Sequence, residues 1–431
     1  MEQTAQPKKL HYAWWILISC CCLYAGSFAL INSILGVYMV PVTTALGFAR
    51  AEFSLMMTTQ TVSIVIMMPV LGTLFANKKV NINLFMTICA VLMISCPLIC
   101  SFASSIWMFY LAGFLSGFGV AACFSLAAPI LIGNWFISKH RGKMLGIASG
   151  FTGISTIAWA PMFTMLIASQ GWRTTYLINA VLIAVLILPW TLFVIKRNPE
   201  DKGLKPFGYD ENAVDIKDNS SNVGMPAKKA FMTPAFWLVF FGVALVAIGG
   251  GFISNQPAIA KELLANTPDA ANSAIIGASM ISAAALGNLL SKIGFGFVAD
   301  RLKLGITFLM FLLVWVAAYI LWIVAGSSAG VLIAGGFCIG FSNAPSRVGW
   351  PLTIRKVFGN VDYAKLWSTV VIASSITGGF STAAIALFYD VTGSYQNALY
   401  IGVVLVALIA VFAFVASSFV GKMKWEEVEK K

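Results

Sequence analysis

Charge is the scarcest property of this sequence. Only 10% of its 431 residues are Asp, Glu, Lys or Arg, against about a quarter in ordinary soluble domains. A water-soluble globule is excluded, because so few polar side chains cannot cover a body of this size. Histidine is nearly missing: His11 and His140 both lie near basic residues in polar segments. There is no Cys-x-x-Cys pair and no Cys/His cluster with metal-ligand spacing. Cys20, Cys21, Cys22, Cys89, Cys96, Cys100, Cys123 and Cys338 all fall inside apolar runs, as small hydrophobes do. No metal and no cofactor are therefore expected. Acids are missing from the middle of the apolar runs, since Glu52, Glu262, Asp269, Asp300 and Asp390 sit at or near their ends. That leaves no paired carboxylates for an intramembrane enzyme, and no embedded acid of the kind that export of cationic drugs would need. Basic tracts interleaved with aromatics are absent, so no nucleic acid is expected as partner. The excess of 28 basic over 16 acidic residues points to anionic headgroups and loop orientation.

Apolar runs are what the chain has in quantity. Crossing about 30 Å of hydrocarbon takes about 20 helical residues, and twelve stretches qualify. They run Trp14 to Val40, Phe53 to Ala76, Ile82 to Phe102, Trp107 to Phe136, Met144 to Ser169 and Thr174 to Ile195. The second set is Phe236 to Ala260, Asn272 to Ala299, Ile306 to Val324, Val331 to Ile354, Trp367 to Tyr389 and Ala398 to Val420. The runs are continuous rather than alternating, which predicts helices and not barrel strands. The first lacks a small-residue cleavage site and is too long for a signal-peptide core, so it reads as a retained span. Between the sixth and seventh lies a polar, Asn/Asp-rich stretch. The expected organisation is a six-helix bundle over 1–195, a cytoplasmic linker over 196–233 and a second six-helix bundle over 234–431, the layout of a transporter built from repeats with its site at their interface.

Orientation follows from lysine and arginine. With the amino terminus inside, 23 of the 28 basic residues lie on one side, and only Arg50, Arg173 and Lys261 lie outside. Both termini and the linker are therefore expected to be cytoplasmic, in a multi-pass bacterial inner or plasma membrane.

Several loops carry a family likeness. GFGFVADRLKLG, from Gly294 to Gly305, resembles the loop signature of the major facilitator superfamily. Its first-half counterpart, GTLFANKKVN from Gly72, has Asn77 where the aspartate would stand. NWFISKHRGKMLGIASGFTG from Asn134, GWRTTY from Gly171, RNPEDKGLKPFG from Arg197 and FYDVTGSYQNAL from Phe388 are similar to the monocarboxylate transporter and oxalate:formate antiporter branch. The resemblance implies an all-α membrane fold of twelve helices. It also implies an inside gate locked by loop charges, here Asp300, Arg301, Lys139 and Arg141, although the run from Lys139 reads equally as a solvated anchor. Glycines such as Gly113, Gly117, Gly119 and Gly249 to Gly251 are read as close helix packing.

Two basic residues lie inside spans. Lys292 is eight residues before Asp300, and Arg347 eight before Arg355, so each sits about 12 Å up its helix. Buried charge is expensive enough to be a functional expectation, and a snorkelling lysine would fall short of the headgroups from that depth. In the resembled branch an arginine four residues before the signature glycine on span eight is implied to bind the substrate carboxylate. Lys292 holds that position relative to Gly296, keeping the charge but not the bidentate fork. The branch's span-eleven lysine has no counterpart here, so Arg347 is the candidate for a second contact. Asn288 stands where the proton-coupled members are implied to have an aspartate, and Asn32 where they have a lysine. Asn32, Asn255, Gln256 and Asn288 are candidates for neutral hydrogen bonds, and Tyr38, Trp159 and Trp350 for apolar walls.

The expectation is a monomeric secondary transporter of a small organic anion, a mono- or dicarboxylate, working by alternating access and anion exchange, with membrane lipid as its other partner. Proton symport and efflux of larger carboxylated amphiphiles are the rival transport readings. A receptor or partner subunit is the non-transport one.

Overall fold

Backbone groups in hydrocarbon must pair within their own segment, and the apolar runs meet that demand as helices. The computed structural model describes residues 11–77, 79–209, 223–324, 328–423 and 425–427, so linker residues 210–222 lie outside the described residues. Ten described helical segments are long and apolar enough to cross a membrane. In chain order the helices are α1 (Ala13–Leu46), α2 (Arg50–Ala76), α3 (Ile82–Phe102), α4 (Ile106–Trp135), α5 (138–170) and α6 (172–194). Then come α7 (Pro234–Ser254), α8 (Ser273–Ala299), α9 (Leu304–Val324), α10 (Ala329–Phe358), α11 (Tyr363–Thr392) and α12 (Tyr395–Ser418).

Helices α5 and α6 run on without a loop and are separated only at Gly171, whose φ of 78° no L side chain adopts readily. A short helix, Gln256–Leu263, continues α7 past a break at Asn255. Large apolar side chains such as Leu313, Val404, Phe380 and Phe193 face outward and are more than 60% exposed, a surface that suits lipid and not water.

Within the first six helices, α2 and α3 pack on α4. Within the last six, α7 packs on α11, α8 on α10, and α9 on α12. Two long seams join the sets, α2 with α11 and α5 with α8. The expected packing role of the glycines is met at most positions. An added Cβ would meet Ser63 at Gly117, Met93 at Gly119 and the Trp315 ring at Gly249, whereas Gly250 faces open space. A short antiparallel ladder pairs Val223–Gly224 with Glu426–Glu427, and Met225 N–H donates to the Phe358 carbonyl. The end of the linker and the carboxyl-terminal tail thus meet at the end of α10; this face is called the linker side below.

Candidate functional site

The α5/α8 seam is built on a glycine ladder at i, i+4, i+8 and i+11. A Cβ on Gly142 would stand 2.5 Å from Asp300 Oδ1 and 2.9 Å from the Gly296 carbonyl oxygen. On Gly146 it would stand 2.5 Å from the Lys292 carbonyl, on Gly150 3.1 Å from Ile293, and on Gly153 3.3 Å from Leu289. At Gly142 and Gly146 no larger residue would let these backbones approach so closely.

At the inner part of this seam Lys292 crosses from α8 and donates from Nζ to Thr152 Oγ1 on α5, at 2.9 Å. Both residues are buried. Arg347 comes from α10 and lays its guanidinium over the Phe124 ring of α4, 4.3 Å from the centroid, an arrangement that favours a desolvated cation. Phe124 is stacked on Phe28 of α1 at 4.4 Å, and Tyr24 meets its edge at 5.3 Å. Lys292 and Arg347 are the two basic residues within the spans. Among the described residues no carboxylate is paired with either.

Three helices loosen where these groups meet. Phe28 lies on a π-helical turn at Ala25–Ser33, Phe124 on one at Val120–Ala127, and Arg347 on one at Pro345–Gly349. Such turns are rare and occur often at functional sites. They widen the helix and re-aim the side chains it carries.

The linker side is closed. Asp300 accepts hydrogen bonds from the backbone N–H groups of Gly142 (2.9 Å) and Lys143 (2.7 Å) in the first turns of α5, where the helix dipole favours an anion. Buried Arg355 on α10 donates to Asn134 Oδ1 (3.2 Å), Asn360 Oδ1 (2.7 Å) and the Pro129 carbonyl (3.3 Å), and lies over the Tyr363 ring. Trp367 Nε1 on α11 donates to the Ser125 carbonyl on α4 at 2.9 Å. Arg141 is buried and donates to the Gly133 and Phe136 carbonyls, both at 2.9 Å. Arg301 and Lys139 are exposed, which suits solvated anchors.

The remaining sequence candidates scatter. Asn288 lies one turn before Lys292, and its buried Oδ1 has no partner among the described residues. Trp159 is half-buried two turns beyond Thr152 on α5. Asn32 is half-buried on the π turn of α1. Asn255 turns back to the Gly251 carbonyl at 2.8 Å, and Gln256 is fully buried with both amide atoms unpartnered among the described residues. Two aromatics lie elsewhere. Tyr38 is stacked on Tyr176 at 3.8 Å inside the first set of helices, and Trp350 packs on Phe308 and against Gly242 within the second. Thr152, Phe124, Trp367 and the buried role of Arg355 were not among the expectations. A lone threonine, a phenylalanine and one more loop arginine carry no signal in a chain of this composition.

Residues 17–265 match the family model described as Major Facilitator Superfamily. Monocarboxylate transporter 13 of Bos taurus is 26% identical over 302 residues, covering 69% of this chain and 65% of that protein; the chain thus aligns with just under two thirds of that relative's length. An uncharacterized MFS-type transporter of Bacillus subtilis (strain 168) is 22% identical over 432 residues, with 96% and 97% covered. Among solved structures, the E. coli fucose:proton symporter superposes with a TM-score of 0.69 at 15% identity, covering 94% of this chain and 98% of that one.

Proposed function

The chain belongs to the Major Facilitator Superfamily, and from that premise we propose that it carries a small organic anion, a mono- or dicarboxylate, and exchanges one such anion for another. As a member it is a multi-pass membrane transporter and not an enzyme. The observation that carries the substrate class is the pair of buried cations. Lys292 and Arg347 reach from α8 and α10 to partners on α5 and α4, and their partners are a neutral hydroxyl and an aromatic face. Two buried positive charges without a counter-ion are costly in a low-dielectric interior. An anion offers each a charge-assisted bond about twice as strong as a neutral one. The likeness to monocarboxylate transporter 13 supports a carboxylate as that anion.

In this reading, residues 1–195 and 234–431 are two bundles that rock about the site, joined by a linker over 196–233. The linker side is the cytoplasm by the distribution of basic residues. Here that side is shut by the contacts of Asp300 and Arg355. The unit is a monomer. Exchange is favoured over proton symport because Asn288 offers no titratable partner beside Lys292, and the return of an empty, doubly positive site is slow. Reconstituted vesicles test this. Those preloaded with unlabelled lactate or oxalate take up the labelled compound much faster than empty ones, without dependence on a pH gradient. Equal uptake by empty vesicles under an inward proton gradient replaces exchange by symport.

A further inference from the structure

The Lys292 to Thr152 bond lies in the same α5/α8 seam as the Asp300 contacts of the linker-side closure, and ties that seam to the proposed anion site. Thr152 donates its own hydroxyl hydrogen to the Ser149 carbonyl at 2.8 Å. Its oxygen is therefore left as an acceptor facing the ammonium. A threonine side chain is short, and it reaches Lys292 because Gly146, Gly150 and Gly153 bring α5 against α8 on either side of it. The same backbone approach carries the contacts of Gly142 and Lys143 with Asp300. Among the described residues this is the one hydrogen bond of the Lys292 ammonium.

We propose that Thr152 is a positioning residue that parks the Lys292 ammonium in the empty carrier and so latches α5 to α8, and that an anion bound at Lys292 releases the latch. The release part rests on the anion-site reading; the latch itself does not. A carboxylate outcompetes a neutral hydroxyl for the ammonium, and once Nζ turns to the anion the inner seam loses its one polar tie. Occupancy is thereby passed to the linker-side closure through one side chain, giving a physical reason for an occupied carrier to reorient more readily than an empty one.

The test needs no substrate. Leu145 is buried next to Arg141, Arg355 and Tyr363 on the linker side, so Leu145→Cys reports opening of that side through its labelling by a thiol reagent. The parent with its eight native cysteines sets the background. In carboxylate-free buffer, Thr152→Val raises the labelling rate about tenfold, the scale of one hydrogen bond to a charged group. Thr152→Ser labels at the parent rate. In a Lys292→Met background, Thr152→Val has no further effect, because the bond is already gone. Labelling of Thr152→Val at the parent rate, or an equal increase in the Lys292→Met background, overturns the latch. Thr152→Ala is read in the same way if the valine variant does not reach the membrane. Anion uptake by a Lys292 variant tests the site reading separately, so the two failures are distinguishable.

Discussion

Asp300 Oδ1 and Oδ2 accept the backbone N–H groups of Gly142 and Lys143 at 2.9 and 2.7 Å, closing α8 onto the start of α5. Burial pushes the Asp300 carboxyl up to about 6, against the pull of those two N–H groups and of the nearby Lys356 and Lys143 ammoniums. A carboxyl raised in one conformation favours that conformation at low pH. The contribution is fully present below the ordinary carboxylate value of about 4 and is lost as pH rises through 6. Acidification from pH 7 to pH 5 therefore shifts the carrier toward the linker-side-closed form, seen as a slowing of Leu145→Cys labelling beyond that caused by protonation of the thiol itself. With Asp300→Asn only the slowing from thiol protonation remains. An equal slowing with and without Asp300→Asn would contradict the assignment.

Arg355 is buried with its guanidinium on Asn134, Asn360 and the Pro129 and Ile130 carbonyls. Its planar fork serves acceptors in different directions, which a lysine cannot reproduce. Arg355→Met and Arg355→Lys each lower stability by about 2–3 kcal/mol, because the remaining acceptors are left buried and unpaired. Thermal unfolding in detergent measures it. A lysine variant as stable as the parent would show that charge alone is needed.

The orientation argued from basic residues has its own test. Cysteine at exposed Lys202 is labelled by an impermeant reagent from the cytoplasmic side, and cysteine at exposed Gln396 from outside. Reversed labelling would overturn the charge argument.

Much of the fold was legible because each helix solves a local problem: its apolar run must hydrogen-bond within itself. Gly171 sits in the short gap read between Ser169 and Thr174, where the structure has a backbone break instead of a loop. Lys292 and Arg347 stood out because charge is costly at depth. Their partners did not, since Thr152 and Phe124 belong to other helices and are brought near by packing alone. Tyr38 and Trp350 show the same limit from the other side. An aromatic on a helix gives no hint of whether it faces a neighbouring helix or a shared cavity, and these two face neighbours. The π turns that aim Arg347 and Phe124 carry no sequence signature that sets them apart from ordinary helix.

The central claim is that the buried cations are the anion's contacts, and uptake by Lys292 variants tests it most directly. Parent and variants are reconstituted at equal amounts of folded protein and offered labelled lactate and oxalate. Lys292→Ala is expected to lose about a hundredfold in uptake, the scale of removing one member of a buried charge pair, while Lys292→Arg retains part of it because the charge remains at that depth. Uptake by Lys292→Ala near the parent rate would contradict the account.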